Sequence, residues 1–485
     1  MNPTPNSKIT RRDLVTQAAA LVGSGLLLRK ASAAEDPHAG HQMAHGNAGA
    51  KSVAKAPPAV STGTTEIFAP EGIHYKPVIT PNGKTLPWKM VDGWKVFHLI
   101  AEPVSHEFAP GLVAECWGYN GRVHGPTIEA VEGDKVRFYV TNRLEASTTI
   151  HWHGILLPSG MDGVGGVSQK AILPGETYKY EFTLKQHGTF MYHSHHDEMT
   201  QMQLGMMVMF IIHPKEPEAN PPDRDYTLLS SEWKIEVGAR RPDPNEMTDM
   251  NVFTFNGRSF PGTAPLLAKK GDKVRIRLGN LSTMSHHSIH LHGTTFKVVA
   301  TDGGQIPEAG QWPEITVIMP TGSTRTIEFI AQEPGDWVMH CHMLHHVMKQ
   351  MGHKFGNVIG MDAKGLDDRI SKLIPGYMVM GTTGMAEMGE MAMESPPNSL
   401  PMVGGAGQYD YITMGGMFTI LKVRETLPAD GSDPGWYEAP PGTLSVAATA
   451  DELRRDGIDP KMNTGTGAGG KVARAFRVKT GECAM

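Results

Sequence analysis

The chain has 485 residues, of which 40% are hydrophobic and 20% charged, with a formal net charge of −5. This is the composition of a globular protein, and the lack of a long basic block argues against nucleic acid as a partner. Its 55 Gly and 35 Pro make up about 19% of the chain, against roughly 12% in an average protein, which favours a loop-rich β-architecture and excludes helical bundles and coiled coils. The 23 His and 30 Met are numerous, and both are metal ligands, whereas three Cys are too few for a disulfide scaffold.

Residues 1–33 are predicted to be a twin-arginine export signal. The motif TRRDLV occupies 10–15, an apolar run covers 18–28, and the small-residue cleavage site ASA lies at 31–33. The apolar run is too short to span a bilayer, and no other stretch of the sequence is predicted to be a transmembrane helix. We therefore expect a soluble protein that is periplasmic or secreted.

The segment 34–65 is of low complexity, with His38, His41, Met43 and His45 among Ala, Gly and Pro. This composition predicts disorder. The segment is either a plain linker or a loose metal-capture tail.

The middle of the chain contains an internal repeat. Matching motifs are NGR at 120–122 and 256–258, GDKVR at 133–137 and 271–275, IHxHG at 150–154 and 289–293, and HxH at 193–195 and 340–342. Two homologous domains in tandem are the simplest account. Residues 136–140 and 274–278 alternate in polarity as strands do, and Pro-Gly turns separate such runs, so each copy is predicted to be an antiparallel β-sandwich.

The two domains are predicted at 66–215 and 216–362, followed by an extension at 363–485. The extension begins with a Met-rich stretch within 378–393 and continues with a strand-like run at 411–423. Its end is polar and Gly-rich and has no assigned fold.

Four H-x-H pairs concentrate metal-binding potential in the two copies. Their eight imidazoles belong to His151, His153, His193, His195, His290, His292, His340 and His342. In a strand, residues i and i+2 point to the same side, so each pair sends both imidazoles the same way. Two pairs per domain suit a cluster of three metal ions lodged between two domains. Imidazole alone does not select the metal.

A second ligand set does select it. His287, Cys341, His346 and Met351 have the composition of a blue-copper electron-transfer site, in which two His and one Cys bind copper with a weak axial Met. Ser194 occupies the position of Cys341 in the first copy, so only the second domain can hold such a site. Cys341 lies between two histidines of the cluster, which provides a short covalent path for an electron.

These motifs, spread over residues 151–351, resemble those of the multicopper oxidase family. The resemblance implies an all-β fold of two tandem cupredoxin-like Greek-key β-sandwiches, followed here by a largely irregular C-terminal extension. It implies four copper ions per active unit, one type 1, one type 2 and two type 3, which pass electrons from a reductant to dioxygen and form water. Asp162, a few residues after the first motif, corresponds to an acidic residue thought to help deliver protons; alternatively it is a turn residue.

The resemblance also implies a ligand for each copper. The type 1 copper would be held by His287, Cys341, His346 and Met351, and the type 2 copper by His151 and His290. The type 3 pair would be held by His153, His193, His195, His292, His340 and His342. Three neighbouring histidines, His196, His286 and His345, are predicted to lie outside the ligand sets by their spacing.

The spacing of the motifs leaves no room for a middle domain. Only 94 residues separate His193 from His287, and early strands of the second copy fill most of them. The chain therefore resembles the two-domain, small laccase-like oxidases, which assemble as homotrimers with each cluster between the first domain of one subunit and the second domain of the next. A ring closed by such head-to-tail contacts is a reasonable arrangement.

The reductant is left open between a phenolic or aromatic compound and Cu(I). Soft thioethers prefer Cu(I), and six methionines lie in the extension at Met378, Met380, Met385, Met388, Met391 and Met393. The methionines within 199–209 are predicted to fill the core. Alternatives of other classes are a two-domain copper nitrite reductase and a copper-binding tolerance protein without turnover. Cys116 and Cys483 either form a disulfide or remain free.

Overall fold

The structure is a computed structural model that describes residues 60–61, 64–236, 238–347, 369, 372–373, 405–409 and 411–460. All of them belong to one compact unit, 57–485. The predictions for the export signal, nearly all of the linker, Met351, the six methionines of the extension and Cys483 lie outside the described residues. Among the described residues, none of the helices combines the length and the apolar character needed to cross a membrane.

The first half of the chain forms two facing sheets. Its strands are β1 (Val60–Ser61), β2 (Trp88–Val91), β3 (Trp94–Ala109), β4 (Leu112–Tyr119), β5 (Ile128–Val131), β6 (Lys135–Asn142), β7 (His151–His153), β8 (Thr177–Thr183), β9 (Gly188–His193) and β10 (Met207–His213), and helix α1 (Glu198–Gln203) precedes β10. One sheet has the order β1-β3-β6-β8, with β2 and β4 also paired to β3, and the other has the order β5-β10-β9-β7.

Side chains from both sheets meet in an apolar core. Along β6, Val136, Phe138 and Val140 are buried while their neighbours are more exposed, which is the period-two pattern predicted from the sequence. Phe138 packs against Trp152 of β7, with ring centroids 4.3 Å apart. Burial of Trp152 fixes the orientation of β7, so its two histidines face away from the core.

The second half repeats this plan. Its strands are β11 (Arg224–Trp233), β12 (Val252–Phe255), β13 (Leu266–Lys269), β14 (Lys273–Asn280), β15 (His287–Leu291), β16 (Phe296–Thr301), β17 (Gly304–Gln305), β18 (Trp312–Glu314), β19 (Thr316–Met319), β20 (Ser323–Ile330), β21 (Gly335–Cys341), β22 (Gly405–Ala406), β23 (Tyr411–Ile412) and β24 (Phe418–Arg424), and helix α2 (Ala450–Arg455) follows. One sheet has the order β12-β11-β14-β20-β16-β17 and the other β13-β24-β21-β15-β19. The predicted all-β fold is confirmed.

Strand β24 completes the second sandwich, although it lies after residue 362, where the second domain was predicted to end. It pairs parallel with β13 and antiparallel with β21. In the first sandwich, β10 pairs in the same two ways with β5 and β9. β24 is therefore the counterpart of β10, and the second sandwich includes part of the predicted extension because the gap between β13 and β21 must be filled.

The equivalence of these strands shows where the repeat is interrupted. In the first sandwich, β9 connects to β10 through the short α1. In the second, β21 ends at Cys341 and β24 begins at Phe418. The Met-rich segment is thus part of a long insertion in the connection that corresponds to α1.

Residues after β24 pack along the second sandwich. Arg424 forms an ion pair with Asp336 at 2.6 Å, and Asp336 also accepts a hydrogen bond from the backbone of Tyr437 at 2.8 Å. The ammonium group of Lys422 lies 5.0 Å from the ring centroid of Trp436. These contacts hold the segment that the sequence left without a fold.

Candidate metal centres

Strands β7 and β9 bring the four histidines of the first sandwich together. The two strands are antiparallel, and His151 lies opposite His193. The ring of His193 lies 5.3 Å from that of His151 and 5.4 Å from that of His153, and the ring of His195 lies 5.4 Å from that of His151. We call His151, His153, His193 and His195 the first quartet.

Strands β15 and β21 bring the four histidines of the second sandwich together. His290 lies opposite His340 in the antiparallel pair. Ring centroids are separated by 4.7 Å between His290 and His292, 5.4 Å between His292 and His340, and 5.5 Å between His340 and His342. These four residues form the second quartet. The predicted H-x-H geometry on strands thus brings each set of imidazoles into one cluster.

Backbone carbonyls determine which ring nitrogens are free in both quartets. In the first, Nδ1 of His151 donates to the carbonyl of Asp162 at 2.9 Å, and Nδ1 of His193 donates to that of Ser194 at 2.8 Å. In the second, the equivalent Nδ1 atoms of His290 and His340 donate to backbone carbonyls at 2.7 and 2.9 Å. Nε2 of each ring then keeps its lone pair for a metal, as is usual for metal-binding histidines.

Burial keeps several of these imidazoles neutral. Desolvation lowers the pKa of His193 to about 3 and that of His340 to about 4. Desolvation also lowers the pKa of His153 and His292. At neutral pH these rings therefore present lone pairs to a metal without first losing a proton.

The two quartets form separate groups of rings. Among the described residues, no imidazole of the first quartet is in ring contact with one of the second. His292 and His342 are exposed to solvent. The described part of one chain therefore presents two separate quartets of imidazoles.

Three further ligand atoms meet inside the second sandwich. Nδ1 of His287 lies 3.1 Å from Nδ1 of His346, and Sγ of Cys341 lies 3.7 and 3.4 Å from these two atoms. The point at the centre of these three atoms is about 2 Å from each of them. This distance is the length of a metal–imidazole bond. All three side chains are buried. We call them the thiolate triad.

The surroundings of the thiolate triad orient its members. Nε2 of His287 is hydrogen-bonded to Oγ of Ser282 at 2.6 Å, and the tautomer in which Nε2 donates leaves Nδ1 free. Phe253 stacks on His346 with ring centroids 4.3 Å apart. Burial lowers the pKa of His287 to about 3 and that of His346 to about 4, whereas it raises the pKa of the Cys341 thiol.

The residues just before β24 cover the thiolate triad. The backbone N–H of Cys341 donates to the carbonyl of Met417 at 3.0 Å, and that of Met417 donates to His346 at 3.1 Å. The N–H of Gly415 donates to the carbonyl of Val347 at 2.7 Å. The described residues that flank 348–414, Val347 and Gly415, therefore lie beside the thiolate triad.

The remaining predicted residues lie close to the clusters. The carboxylate of Asp162 is 3.4 Å from Nδ1 of His151 and is partly exposed. His286 accepts a hydrogen bond from the backbone of Thr321 at 3.0 Å. His345 is exposed, as are His292 and His342 of the second quartet. That His196, His286 and His345 lie outside the ligand sets stays a prediction.

Sequence reasoning missed several residues that contact the clusters. Glu198 places its carboxylate 3.5 Å from Nδ1 of His193 and 3.8 Å from Nε2 of His195. Ser282 and Phe253 support the triad, and Gln201 lies behind the first quartet. None of them belongs to a metal-ligand motif, so only their place in the fold reveals them.

Comparisons with known proteins identify the family of this chain. Two family models, both described as multicopper oxidase, match residues 101–217 and 236–359. The chain belongs to the multicopper oxidase family, whose members bind copper. Among solved structures it is similar to a blue copper oxidase from Nitrosomonas europaea, with a TM-score of 0.51 and 26% identity, covering 68% of this chain and 85% of that one. The multicopper oxidase mgLAC also has a TM-score of 0.51 at 26% identity, covering 69% and 88%.

Among curated proteins, the chain is 33% identical over 233 residues to "Copper resistance protein A" of Escherichia coli. That match covers 38% of this chain and 38% of the relative. The aligned region is thus well under half the length of either protein.

Proposed function

We propose that this protein is an oxidase that couples one-electron oxidation of a reductant to four-electron reduction of dioxygen to water. The observation that carries the proposal is the connection between the thiolate triad and a quartet. Cys341 belongs to the triad, and its chain neighbours His340 and His342 belong to the second quartet. A copper nitrite reductase would not require four H-x-H pairs.

The donor atoms fit copper. Two neutral imidazoles and one thiol converge on a single point in the triad, which is the donor set of a blue-copper site, with Met351 proposed as the axial ligand. We assign the type 2 copper to His151 and His290. We assign the type 3 pair to His153, His193, His195, His292, His340 and His342. Bound copper would supply the one-electron redox chemistry and the site for dioxygen.

The chain's own residues perform the remaining tasks. The buried walls of the triad, including the ring of Phe253, exclude water from Cys341. The carbonyls that accept from Nδ1 hold the imidazoles of His151, His193, His290 and His340 in one orientation. Asp162, partly exposed beside His151, is placed to hold a proton at its carboxylate and to exchange it with solvent.

A homotrimer would complete the clusters. The second quartet is partly exposed, and exposed apolar side chains lie on the adjoining β18 and β19 region, at Trp312, Ile315 and Ile318. Ile315 is directly connected to the quartet because its carbonyl accepts from His290. In the first sandwich, Leu156 and Val167 are likewise exposed near the H-x-H strand. These patches support an interface in which each subunit provides one quartet to its neighbour.

We further propose Cu(I) as the reductant, with copper tolerance as the outcome. The insertion 348–414 contains the six methionines, and the residues that flank it, Val347 and Gly415, lie beside the thiolate triad. Thioethers prefer Cu(I), and a tether of this length keeps them at high local concentration near the triad. The similarity to Copper resistance protein A is consistent with this choice. The export signal would place the reaction in the periplasm or outside the cell.

The oxidase proposal is tested by absorption spectra of the copper-loaded protein and of Cys341→Ser. The wild type should show a blue thiolate-to-copper band and the near-ultraviolet shoulder of a coupled copper pair. Cys341→Ser should lose the blue band and dioxygen reduction. Cys116→Ser, at a buried thiol of the first sandwich, is the matched control and should keep both. A blue band without the shoulder in the wild type would favour a carrier or nitrite reductase, and no blue band would refute the triad.

The choice of reductant is tested on the six methionines. Deleting 378–393 should lower kcat/KM for Cu(I) by at least about tenfold, because the tethered ligands are lost, and should leave phenol oxidation unchanged. Replacing the six methionines by leucine keeps the length and apolar character of the segment, and it should give the same selective loss. Equal effects on both substrates, or on neither, would eliminate the role in Cu(I) oxidation.

A further inference from the structure

The first sandwich holds a buried hydrogen-bond network at the position where the second holds its thiolate triad. The offset that relates His151 to His290 relates Thr148 to His287, and the offset that relates His193 to His340 relates Ser194 to Cys341. Thr148 and Ser194 therefore replace two members of the triad. Both are buried, and their hydroxyl oxygens lie 3.3 Å apart.

Gln201 of α1 joins these two side chains. Its Oε1 accepts a hydrogen bond from Oγ1 of Thr148 at 2.7 Å and another from Oγ of Ser194. Its Nε2 donates to the carbonyl of Ser147 at 2.7 Å. Gln201 has an exposed fraction of 0%, so water does not compete for these bonds.

The network connects the two chain segments that carry the first quartet. Ser147 and Thr148 lead into β7, which carries His151 and His153. Ser194 lies between His193 and His195, directly after β9. In the second sandwich, the corresponding segments are connected through His287 and Cys341, which meet at one point in the thiolate triad. In the first sandwich, the amide of Gln201 makes this connection.

A glutamine is suited to this task for a chemical reason. An amide oxygen has two lone pairs and can accept from both hydroxyls, while the NH₂ group donates to a carbonyl. The side chain does this without a charge, which would be unfavourable in a fully buried position. Leucine or methionine of similar size would satisfy none of the three groups.

We propose that Gln201 is a positioning residue for the first quartet, fixing the separation of its two H-x-H pairs. This inference rests on the proposed function, because the ligands that it positions are those of the proposed trinuclear cluster. Gln201 itself binds no metal. It acts through Thr148 and Ser194 on the segments that carry the ligands.

The first test compares Gln201→Leu with the wild type in copper content and spectrum. The blue band should be unchanged, because the thiolate triad lies in the other sandwich. The near-ultraviolet shoulder should weaken, and the copper content should fall toward one ion per chain, with a loss of cluster affinity of roughly tenfold or more. kcat should fall while KM for the reductant stays constant.

Gln203→Leu provides a matched control in the same helix. Gln203 is also buried, but its amide contacts Thr283 and the backbone of Glu232 in the second sandwich. Its replacement should therefore leave the near-ultraviolet shoulder intact. If both variants lose the shoulder equally, the effect belongs to α1 as a whole and the assignment to Gln201 fails.

A second variant separates positioning from simple stabilisation. Thr148→Val, Ser194→Ala and Gln201→Leu together remove the three side chains of the network, so that within the network only the carbonyl of Ser147 loses its partner, and the thermal unfolding of the copper-free protein should return toward that of the wild type. The shoulder should stay weak, because the connection is still missing. The proposal would be overturned if the triple variant recovered both its thermal stability and its near-ultraviolet shoulder, or if Gln201→Leu kept an intact shoulder. A wild type without the shoulder would instead refute the proposed function itself.

Discussion

In each quartet, two histidines are oriented for a metal by hydrogen bonds from Nδ1 to backbone carbonyls. The same bond occurs in both sandwiches, at His193 with Ser194 and at His340 with Cys341. Each bond joins a ring to the residue that directly follows it. The strand end therefore orients its own ligand, and the metal does not have to select the tautomer.

Ser282 has a comparable effect on the thiolate triad. We expect Ser282→Ala to lower the affinity for the blue copper roughly 10- to 100-fold, because Nε2 of His287 loses its acceptor and the ring loses its preferred orientation. A competition titration with a copper chelator, followed at the blue band, measures this. Ser285→Ala in the same loop is the control, and an equal loss in both variants would assign the effect to the loop and not to the hydrogen bond.

A buried acid–base pair lies in the first sandwich, away from the histidine clusters. Nε2 of His213 is 2.8 Å from the carboxyl group of Glu129, and Tyr75 stacks on the imidazole with ring centroids 3.9 Å apart. Burial raises the pKa of Glu129 to about 8. Burial, together with nearby cationic groups, lowers the pKa of His213 well below its ordinary value.

This pair makes folding stability depend on pH. Glu129 stays protonated in the folded protein up to a pKa of about 8, while the unfolded chain ionises near 4.5, so its contribution to stability falls as pH rises toward 8. Above the ordinary pKa of histidine, His213 is neutral in both states and does not offset this. Between pH 6.5 and 8 the wild type should lose up to about 1.4 kcal/mol of stability per pH unit relative to Glu129→Gln. Thermal unfolding of both proteins across that range checks this; a constant difference would contradict the raised pKa.

Among the structural elements, β24 connects the insertion to the metal site. It takes the place that β10 has in the first sandwich, and the residues just before it cover the triad. Gly416, just before β24, has a positive φ of +62°. A Cβ added there would collide with the carbonyl oxygen of His346. The sequence requires glycine at this position for two reasons, the left-handed conformation and the close approach of two backbones.

We expect Gly416→Ala to displace His346 and abolish the blue band, because the added methyl group meets backbone atoms that cannot rotate away. Gly431→Ala is the matched control. Gly431 also has a positive φ, of +72°, but its added Cβ has no heavy atom within 4 Å. The control should therefore only lose roughly 1–2 kcal/mol of stability and retain its blue band, which visible absorption and thermal unfolding report. Equal loss of the band in both variants would show that φ, and not the collision, is responsible.

At the scale of the whole molecule, the proposed trinuclear cluster joins the first quartet of one chain to the second quartet of a neighbouring chain. Ile318, one of the apolar side chains beside the second quartet, lies on β19, an edge strand of its sheet. Exposed edge strands with apolar side chains favour association with another chain. The proposed head-to-tail ring would cover both this edge and the exposed imidazoles.

We expect Ile318→Glu to shift the protein from three times the mass of one chain to the mass of a single chain. A charge in an apolar interface is unfavourable, and the exposed fraction of Ile318 is 52% in the single chain, so folding should tolerate the change. Light scattering measures the mass. The near-ultraviolet shoulder should disappear with the trimer while the blue band stays. Ile67→Glu, at a side chain with an exposed fraction of 48% in the segment before β2, should change neither. A monomeric variant with an intact shoulder would contradict clusters shared between subunits.

The sequence by itself determined the all-β fold, the tandem repeat and which described histidines and cysteine come together in the two quartets and the thiolate triad. These features leave local signals: polarity alternates every two residues in a strand, a repeat recurs at a constant offset, and H-x-H spacing sends two ligands to one side. His151, His290 and Cys341 could be singled out because their neighbours within a few residues identify them. No distant contact was needed.

Only the tertiary structure decided the contacts between residues that lie far apart in the chain. β24 pairs with β13 about 155 positions away, Glu129 meets His213 across 84 residues, and Gln201 reaches Thr148 across 53. Such pairs have no fixed spacing, because they depend on how strands are ordered in a sheet and on which buried polar groups need partners. The placement of Val347 and Gly415, which flank the insertion, beside the thiolate triad follows from the same cause. It depends on strand order, which the local pattern of side chains does not encode.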